Sequence, residues 1–217
     1  MTDFAVQRNN MVESQVRTYD VTDRRVLRAM QEVPRERFVP EASQALAYMG
    51  EPVTLAPGRV LLAPALAARL LQLADVAPVD SVLVVGCGAG YMAALAAGLA
   101  RVVTALECDA SLAAAAKGNV AALGLDNVDV ATGPLEKGCP ALAPYDLILV
   151  EGAIEELPAA LTDQLRNNGR LVAVLSDGPV GRAVLIERLG KVVSQRTVFD
   201  ATTPVLPGFE RKPIFAL

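Results

Sequence analysis

The sequence predicts a doubly wound, mainly parallel α/β sheet with a helical cover at its N-terminal end. Three observations carry the prediction. From Ser81 onward, apolar stretches of strand length alternate with stretches of helical spacing. The first of these strands runs directly into a glycine-rich turn that opens a helix. The apolar residues, 53% of the chain, are mainly Ala, Val and Leu with few aromatics and no Trp, a mixture suited to helices packed on a sheet buried on both faces.

At 217 residues the chain is long enough to bury a substantial core, and it reads as one domain, with 1–75 the cover and 76–217 the α/β core. The cover is rich in Arg, Glu and Pro. In it, Thr22-Asp23 precedes apolar positions at helical spacing through Met30, and Val33-Pro34 ends that pattern. Leu61 to Ala74 is a second helix candidate, with Pro64 near its start, where a missing amide donor costs little.

The core then unfolds in order. Val82 to Val85 is a strand, Tyr91 to Leu99 a helix, Val102 to Leu106 a strand, Ser111 to Leu123 a helix and Val128 to Ala131 a strand. Two βα units feeding a third strand imply parallel pairing with right-handed crossovers. Asp146 to Val150 reads as a buried strand, Leu157 to Arg166 as a helix, and Arg170 to Leu175 as a strand after the Asn168-Gly169 stop. Beyond Gly178, Ala183 to Leu189, Lys191 to Phe199 and Pro213 to Leu217 read as strands that complete the sheet with antiparallel members.

Composition narrows the function classes. Lys plus Arg total 20 against 24 for Asp plus Glu, a formal charge of -4 with no basic run, which disfavours nucleic acid as a partner. Cys87, Cys108 and Cys139 are widely spaced and the chain has no histidine, so neither a metal site nor a disulfide framework is expected. No export signal or membrane anchor is read, and the expected location is the cytoplasm.

The sharpest local signal is Val82-Leu83-Val84-Val85-Gly86-Cys87-Gly88-Ala89-Gly90-Tyr91. Glycines there allow a tight turn and let a ligand approach the backbone. Tyr91 stands where a dinucleotide fingerprint requires its last glycine, so the spacing favours a nucleoside with an amino-acid tail over a pyrophosphate and argues against a nicotinamide-dependent oxidoreductase. The next strand ends at Glu107, an acid placed to accept hydrogen bonds from both ribose hydroxyls of a nucleoside lying across the sheet edge. A ligand-free structural turn and a solvated strand-end acid are the alternatives.

Further motifs lie in the cover: Val26-Leu27-Arg28-Ala29-Met30, then Val33-Pro34-Arg35-Glu36-Arg37-Phe38-Val39-Pro40-Glu41, then Ala47-Tyr48. With the glycine loop, Glu107, Tyr145 to Val150 and Gly169-Arg170-Leu171-Val172, they make a sequence that resembles the protein-L-isoaspartate O-methyltransferase family along nearly its whole length. The resemblance implies the seven-stranded, Rossmann-like fold of S-adenosylmethionine-dependent methyltransferases. It also implies methyl transfer to the free carboxylate of an L-isoaspartyl residue in a damaged protein or peptide, with S-adenosylhomocysteine as product. Carried onto this chain, it places the cofactor at Gly86, Cys87, Gly88, Gly90, Glu107, Pro134 and Leu135, and makes Arg59, Glu151 and Gly152 candidates for contact with the acceptor.

The chain departs from the family pattern at four places. Where relatives carry Gly-Gln-Thr-Ile-Ser-Gln-Pro, it reads Gly58-Arg59-Val60-Leu61-Leu62-Ala63-Pro64, so Leu62 holds the active-site serine position and Val60 the threonine position. Val84 and Pro134 stand where relatives carry acids near the cofactor. Two further readings follow from these losses: a methyltransferase for another carboxylate or small acceptor, and a catalytically eroded member kept as a binding or assembly module.

Overall fold

The computed structural model describes residues 3–176, 178 and 180–211. Its centre is a seven-stranded sheet of order β5-β4-β3-β6-β7-β8-β9. The strands are β3 (Ser81–Val85), β4 (Val102–Glu107), β5 (Val128–Thr132), β6 (Tyr145–Ile154), β7 (Leu165–Leu175), β8 (Arg182–Leu189) and β9 (Val192–Asp200). β3 pairs in parallel with β4 on one side and β6 on the other, β4 with β5 and β6 with β7, while β8 and β9 are antiparallel. The predicted mainly parallel sheet with antiparallel members is therefore present; the expected strand at Pro213 to Leu217 lies outside the described residues.

The apolar runs of the parallel strands are explained by burial on both faces. Val82 and Val84 point to the side covered by the N-terminal helices, together with Val103, Ala105, Leu147 and Leu149. Leu83 and Val85 point to the opposite side, where Ile148, Val150, Leu161 and Leu171 form a second core. All five residues of β3 are buried, which makes it the fixed centre from which the glycine loop projects.

Helices α1 (Phe4–Met11), α2 (Arg24–Glu32), α3 (Pro64–Ala74), α4 (Tyr91–Ala97), α5 (Ala110–Ala122) and α6 (Ala159–Asp163) surround the sheet. Asp23 caps α2 by accepting from the Arg25 N–H, and Asp109 caps α5 by accepting from Ser111 and Leu112. α1 has no counterpart in the sequence reading, because its apolar residues are too few to mark a periodic stripe.

Two differences from the expected elements matter for the site. The helix anticipated from Leu61 begins only at Pro64, and Arg59–Leu61 instead forms β2, paired antiparallel with β1 (Val53–Ala56). This hairpin turns at Pro57-Gly58, where Gly58 takes φ +69°, and it pairs with no strand of the main sheet. Second, the helix anticipated over Leu157 to Arg166 is the single turn α6, and β7 already begins at Leu165. At that junction Arg188 donates to the carbonyls of Thr162, Asp163 and Leu165, and Leu165 pairs with Tyr145 of β6.

Candidate active site

β3 is flanked by β4 and β6, whose connections run to opposite sides, so the carboxyl end of β3 is the topological switch point of the sheet, the station where open α/β sheets place ligands. The glycine loop stands there. Gly86 adopts φ +75° and Gly88 φ +54°, values that cost other residues about 1–2 kcal/mol. The amides of Gly86 and Cys87 both donate to the Leu106 carbonyl, which pins the loop to the end of β4. Gly90 then opens α4.

Glu107, the last residue of β4, is the most heavily engaged side chain at this edge and is 0% exposed. Its Oε1 accepts from Arg59 Nη1 at 2.5 Å, from the Cys108 N–H at 2.8 Å and from the Asp109 N–H at 3.0 Å. Its Oε2 accepts from Arg59 Nη2 at 2.7 Å and from the Gly88 N–H at 2.8 Å. Burial works against the charged form, but the hydrogen bonds from Arg59, Asp109 and Gly88 outweigh it and hold the carboxyl below its usual value. Arg59 is itself buried, at 5% exposure, and its Nη2 also donates to the Gly86 carbonyl at 3.0 Å. Burial opposes its charge, and the Glu107 carboxylate more than compensates, raising its affinity for the proton. Arg59 is thus neither solvated nor free for an incoming anion; its planar fork is matched to Glu107.

Hydrocarbon covers the rest of the loop. A Cβ placed on Gly88 would lie 2.9 Å from Leu55 Cδ1 of the hairpin, and one placed on Gly86 would lie 2.8 Å from Leu206 Cδ1. Leu206 also fills the space above Gly152, where a Cβ would meet its Cγ at 2.5 Å. Leu206 is held there by backbone pairing of its segment with the end of β6: the Ala153 N–H donates to the Pro204 carbonyl and the Leu206 N–H to the Ala153 carbonyl.

Glu151 lies inside β6, not on an exposed loop, and is only 6% exposed. Its Oε2 has no hydrogen-bond partner among the described residues. Burial pushes its carboxyl well above the ordinary range; Arg59 and Arg35 pull against that and nearby Glu107 adds to it. Arg35 is fully buried, donating to the carbonyls of Ala47 and Leu62 and lying 5.1 Å from the centre of the Tyr91 ring. Nothing local in the sequence marks Arg35 as buried, since its partners are 12 and 27 residues away.

The remaining candidates fall into two groups. Cys87 is buried beside the loop, and burial raises its thiol well above the usual value, so it is held as the thiol. Gly133-Pro134-Leu135 follows β5, with the Gly133 N–H bonded to the Glu107 carbonyl; Pro134 is exposed and Leu135 is directed into the second core. Leu62 is 1% exposed and Val60 half-buried, both in the first core. Leu62 also borders a cavity of about 430 Å³ lined by Pro52, Ala63, Leu66 and Thr202 to Pro204. No helix among the described residues is long and apolar enough to cross a membrane, and no cluster of three metal-ligating side chains is found among them.

Scaffold and closure therefore disagree. The glycine loop and the strand-end acid stand where a nucleoside would lie, yet both oxygens of Glu107 are taken and Leu55 and Leu206 occupy the space above the glycines. The arrangement of this structure does not fit S-adenosylmethionine.

The comparisons with known proteins point to one family. Its model, protein-L-isoaspartate(D-aspartate) O-methyltransferase, matches residues 6–203. A protein-L-isoaspartate O-methyltransferase of Koribacter versatilis (strain Ellin345) is 39% identical over 200 residues, covering 92% of this chain and 90% of the relative. One of Roseiflexus sp. (strain RS-1) is 39% identical over 207 residues, covering 95% and 94%. Among solved structures, the Plasmodium falciparum beta-aspartate methyltransferase (PCMT) in complex with S-adenosyl-L-homocysteine superposes with a TM-score of 0.80 at 23% identity, covering 92% of this chain and 97% of that one. A solved protein-L-isoaspartate O-methyltransferase gives a TM-score of 0.81 at 23% identity, covering 93% of this chain and 66% of that one, and at these identities both show the fold. The family is one of S-adenosylmethionine-dependent methyltransferases, and with its model and its relatives matched along cover and core alike, the chain belongs to the protein-L-isoaspartate(D-aspartate) O-methyltransferase family.

Proposed function

We propose that the protein, acting as one domain over residues 1–217, is a cytoplasmic O-methyltransferase that esterifies a carboxylate, with the L-isoaspartyl residue of a damaged protein or peptide as acceptor. The observation that carries this reading is the family match over residues 6–203, which spans the cover as well as the α/β core. The residue inventory agrees with the chemistry. A carboxylate with a solution pKa of about 4 is already ionised at neutral pH, so no general base is needed and the absence of histidine is no objection. Gly86, Cys87, Gly88, Gly90, Glu107, Pro134 and Leu135 are assigned to the cofactor side of the site. Glu151 and Gly152, at the end of β6, are assigned to the side facing the acceptor.

One observation favours a second reading, a family member kept as a binding or assembly module: the Arg59–Glu107 pair engages the acid that a nucleoside would need. Incubation with methyl-labelled S-adenosylmethionine and a peptide carrying one isoaspartyl residue separates the two. Methyltransferase action puts base-labile label on that peptide and none on its ordinary aspartyl counterpart. Absence of label under conditions where a bound cofactor is demonstrated by another method would favour the module.

A further inference from the structure

Three side chains from two distant segments converge on the glycine loop, and each occupies a different part of the space a nucleoside would take. Arg59, on β2, engages both oxygens of Glu107 and the Gly86 carbonyl. Leu55, on β1, lies where a Cβ on Gly88 would point. Leu206, in the segment paired with the end of β6, lies against Gly86 and Gly152. The fork of Arg59 is chemically apt for this place, because it donates two parallel hydrogen bonds to Glu107, as a pair of vicinal hydroxyls would. The leucines supply the apolar contact.

We infer that the β1–β2 hairpin and Leu206 form an internal occupant of the cofactor site, with Arg59 standing in for the ribose hydroxyls, so that S-adenosylmethionine competes with the chain's own residues for Glu107 and the glycine loop. The inference rests on the methyltransferase reading for the identity of the competing ligand, and on the packing alone for the occupancy. The hairpin is a separate two-stranded unit, seated by Val53 and Leu61 in the first core and by the Arg59–Glu107 pair, and opening the site requires it to move as one. Its two strands pair with each other, no strand of the main sheet holds it, and Gly58 at its tip has nothing within 4 Å of where a Cβ would stand. Swinging it outward releases Leu55 and Arg59 together. Leu206 has a separate tether, so cofactor entry requires either its rotation or a shift of residues 204–206 along β6. Because only the open form binds, the apparent dissociation constant is the intrinsic one divided by the open fraction.

Calorimetric titration with S-adenosylhomocysteine tests this on the full chain, comparing the wild type with Arg59→Gln, which removes the charge and the fork, and with Leu206→Ala and Leu55→Ala, which remove hydrocarbon above the loop. The expected result is that Arg59→Gln and at least one leucine variant bind at least tenfold more tightly than the wild type. Using several sites keeps the test valid if Arg59→Gln fails to fold. Wild-type binding equal to or tighter than that of every folded variant would overturn the internal occupant while leaving the methyltransferase reading intact. No binding by any of them at millimolar ligand would overturn both, since emptying the site would then have uncovered no cofactor site.

Discussion

Breaking the Arg59–Glu107 pair from either side should destabilise the fold unequally, and the structure states which side costs more. Glu107→Ala leaves the Arg59 side chain, 6% exposed, with the Gly86 carbonyl and a weak contact to the Cys108 sulfur as its partners. It also strips an acceptor from the amides of Gly88, Cys108 and Asp109. Removing one member of a buried ion pair costs about 3–5 kcal/mol, and the unserved amides put this variant at or above the upper end, about 5 kcal/mol. Arg59→Ala leaves the carboxylate with those three amides still donating, which puts it near the lower end, about 3 kcal/mol. Because the residues touch, the double variant should cost about 1.5–3 kcal/mol less than the sum of the two single losses. Urea unfolding at pH 7 of the wild type, both single variants and the double variant measures all four states. Losses below about 1 kcal/mol for each single variant, adding without coupling, would refute the reasoning. They would mean that the pair is solvated and the hairpin is not seated on the loop.

Other expectations follow from the same site. Glu107 is held below its unfolded value, so the stability it contributes is present above about pH 4.3 and is lost as the pH falls through its folded value; urea titrations should show a steeper acid loss for the wild type than for Glu107→Gln. Glu151 shifts the other way, so its contribution is full below about pH 4.3 and is lost as the pH rises through the folded value; Glu151→Gln should gain stability relative to the wild type between pH 5 and pH 8. An equal difference at both pH values would count against a raised Glu151. Gly152→Ala presses its new Cβ onto Leu206 and should cost about 1–3 kcal/mol, a loss that Leu206→Ala partly relieves in the double variant by thermal or urea unfolding. Cys87 should react with a thiol reagent at pH 8 far more slowly than the half-buried Cys108 and Cys139, at a rate that rises only under conditions that unfold the protein.

Much of this architecture is legible in the sequence because it rests on local patterns. Val82 to Val85 is apolar at every position because the strand is buried on both faces, and Gly86, Gly88 and Gly90 mark the turn by the backbone angles they allow. Glu107 is found by its place at the end of the second strand. What escapes sequence reasoning depends on segments that meet from afar. Arg59 reads as a candidate for contact with the acceptor because its partner is 48 residues away, and only the hairpin's return over the sheet edge brings them together. Leu206 looks like any apolar residue of a terminal segment until its backbone pairs with Ala153. Glu151 follows an apolar run and reads as the start of a loop, whereas β6 continues through Ile154 and carries the acid into the interior. The β1–β2 hairpin had one usable signal, Pro57-Gly58, a turn dipeptide between two short apolar runs.

Hydrogen exchange with and without saturating S-adenosylhomocysteine tests the account most directly, because it reads the glycine loop and its internal cover in one experiment. The account predicts slower exchange at residues 85–90 and 106–109 when ligand binds, together with faster exchange across the hairpin at 53–61 as Leu55 and Arg59 are displaced. Protection of the loop with the hairpin unchanged or further protected would contradict the internal occupant. A ligand-bound sample whose protected amides lie elsewhere would contradict the placement of the cofactor at the carboxyl end of β3.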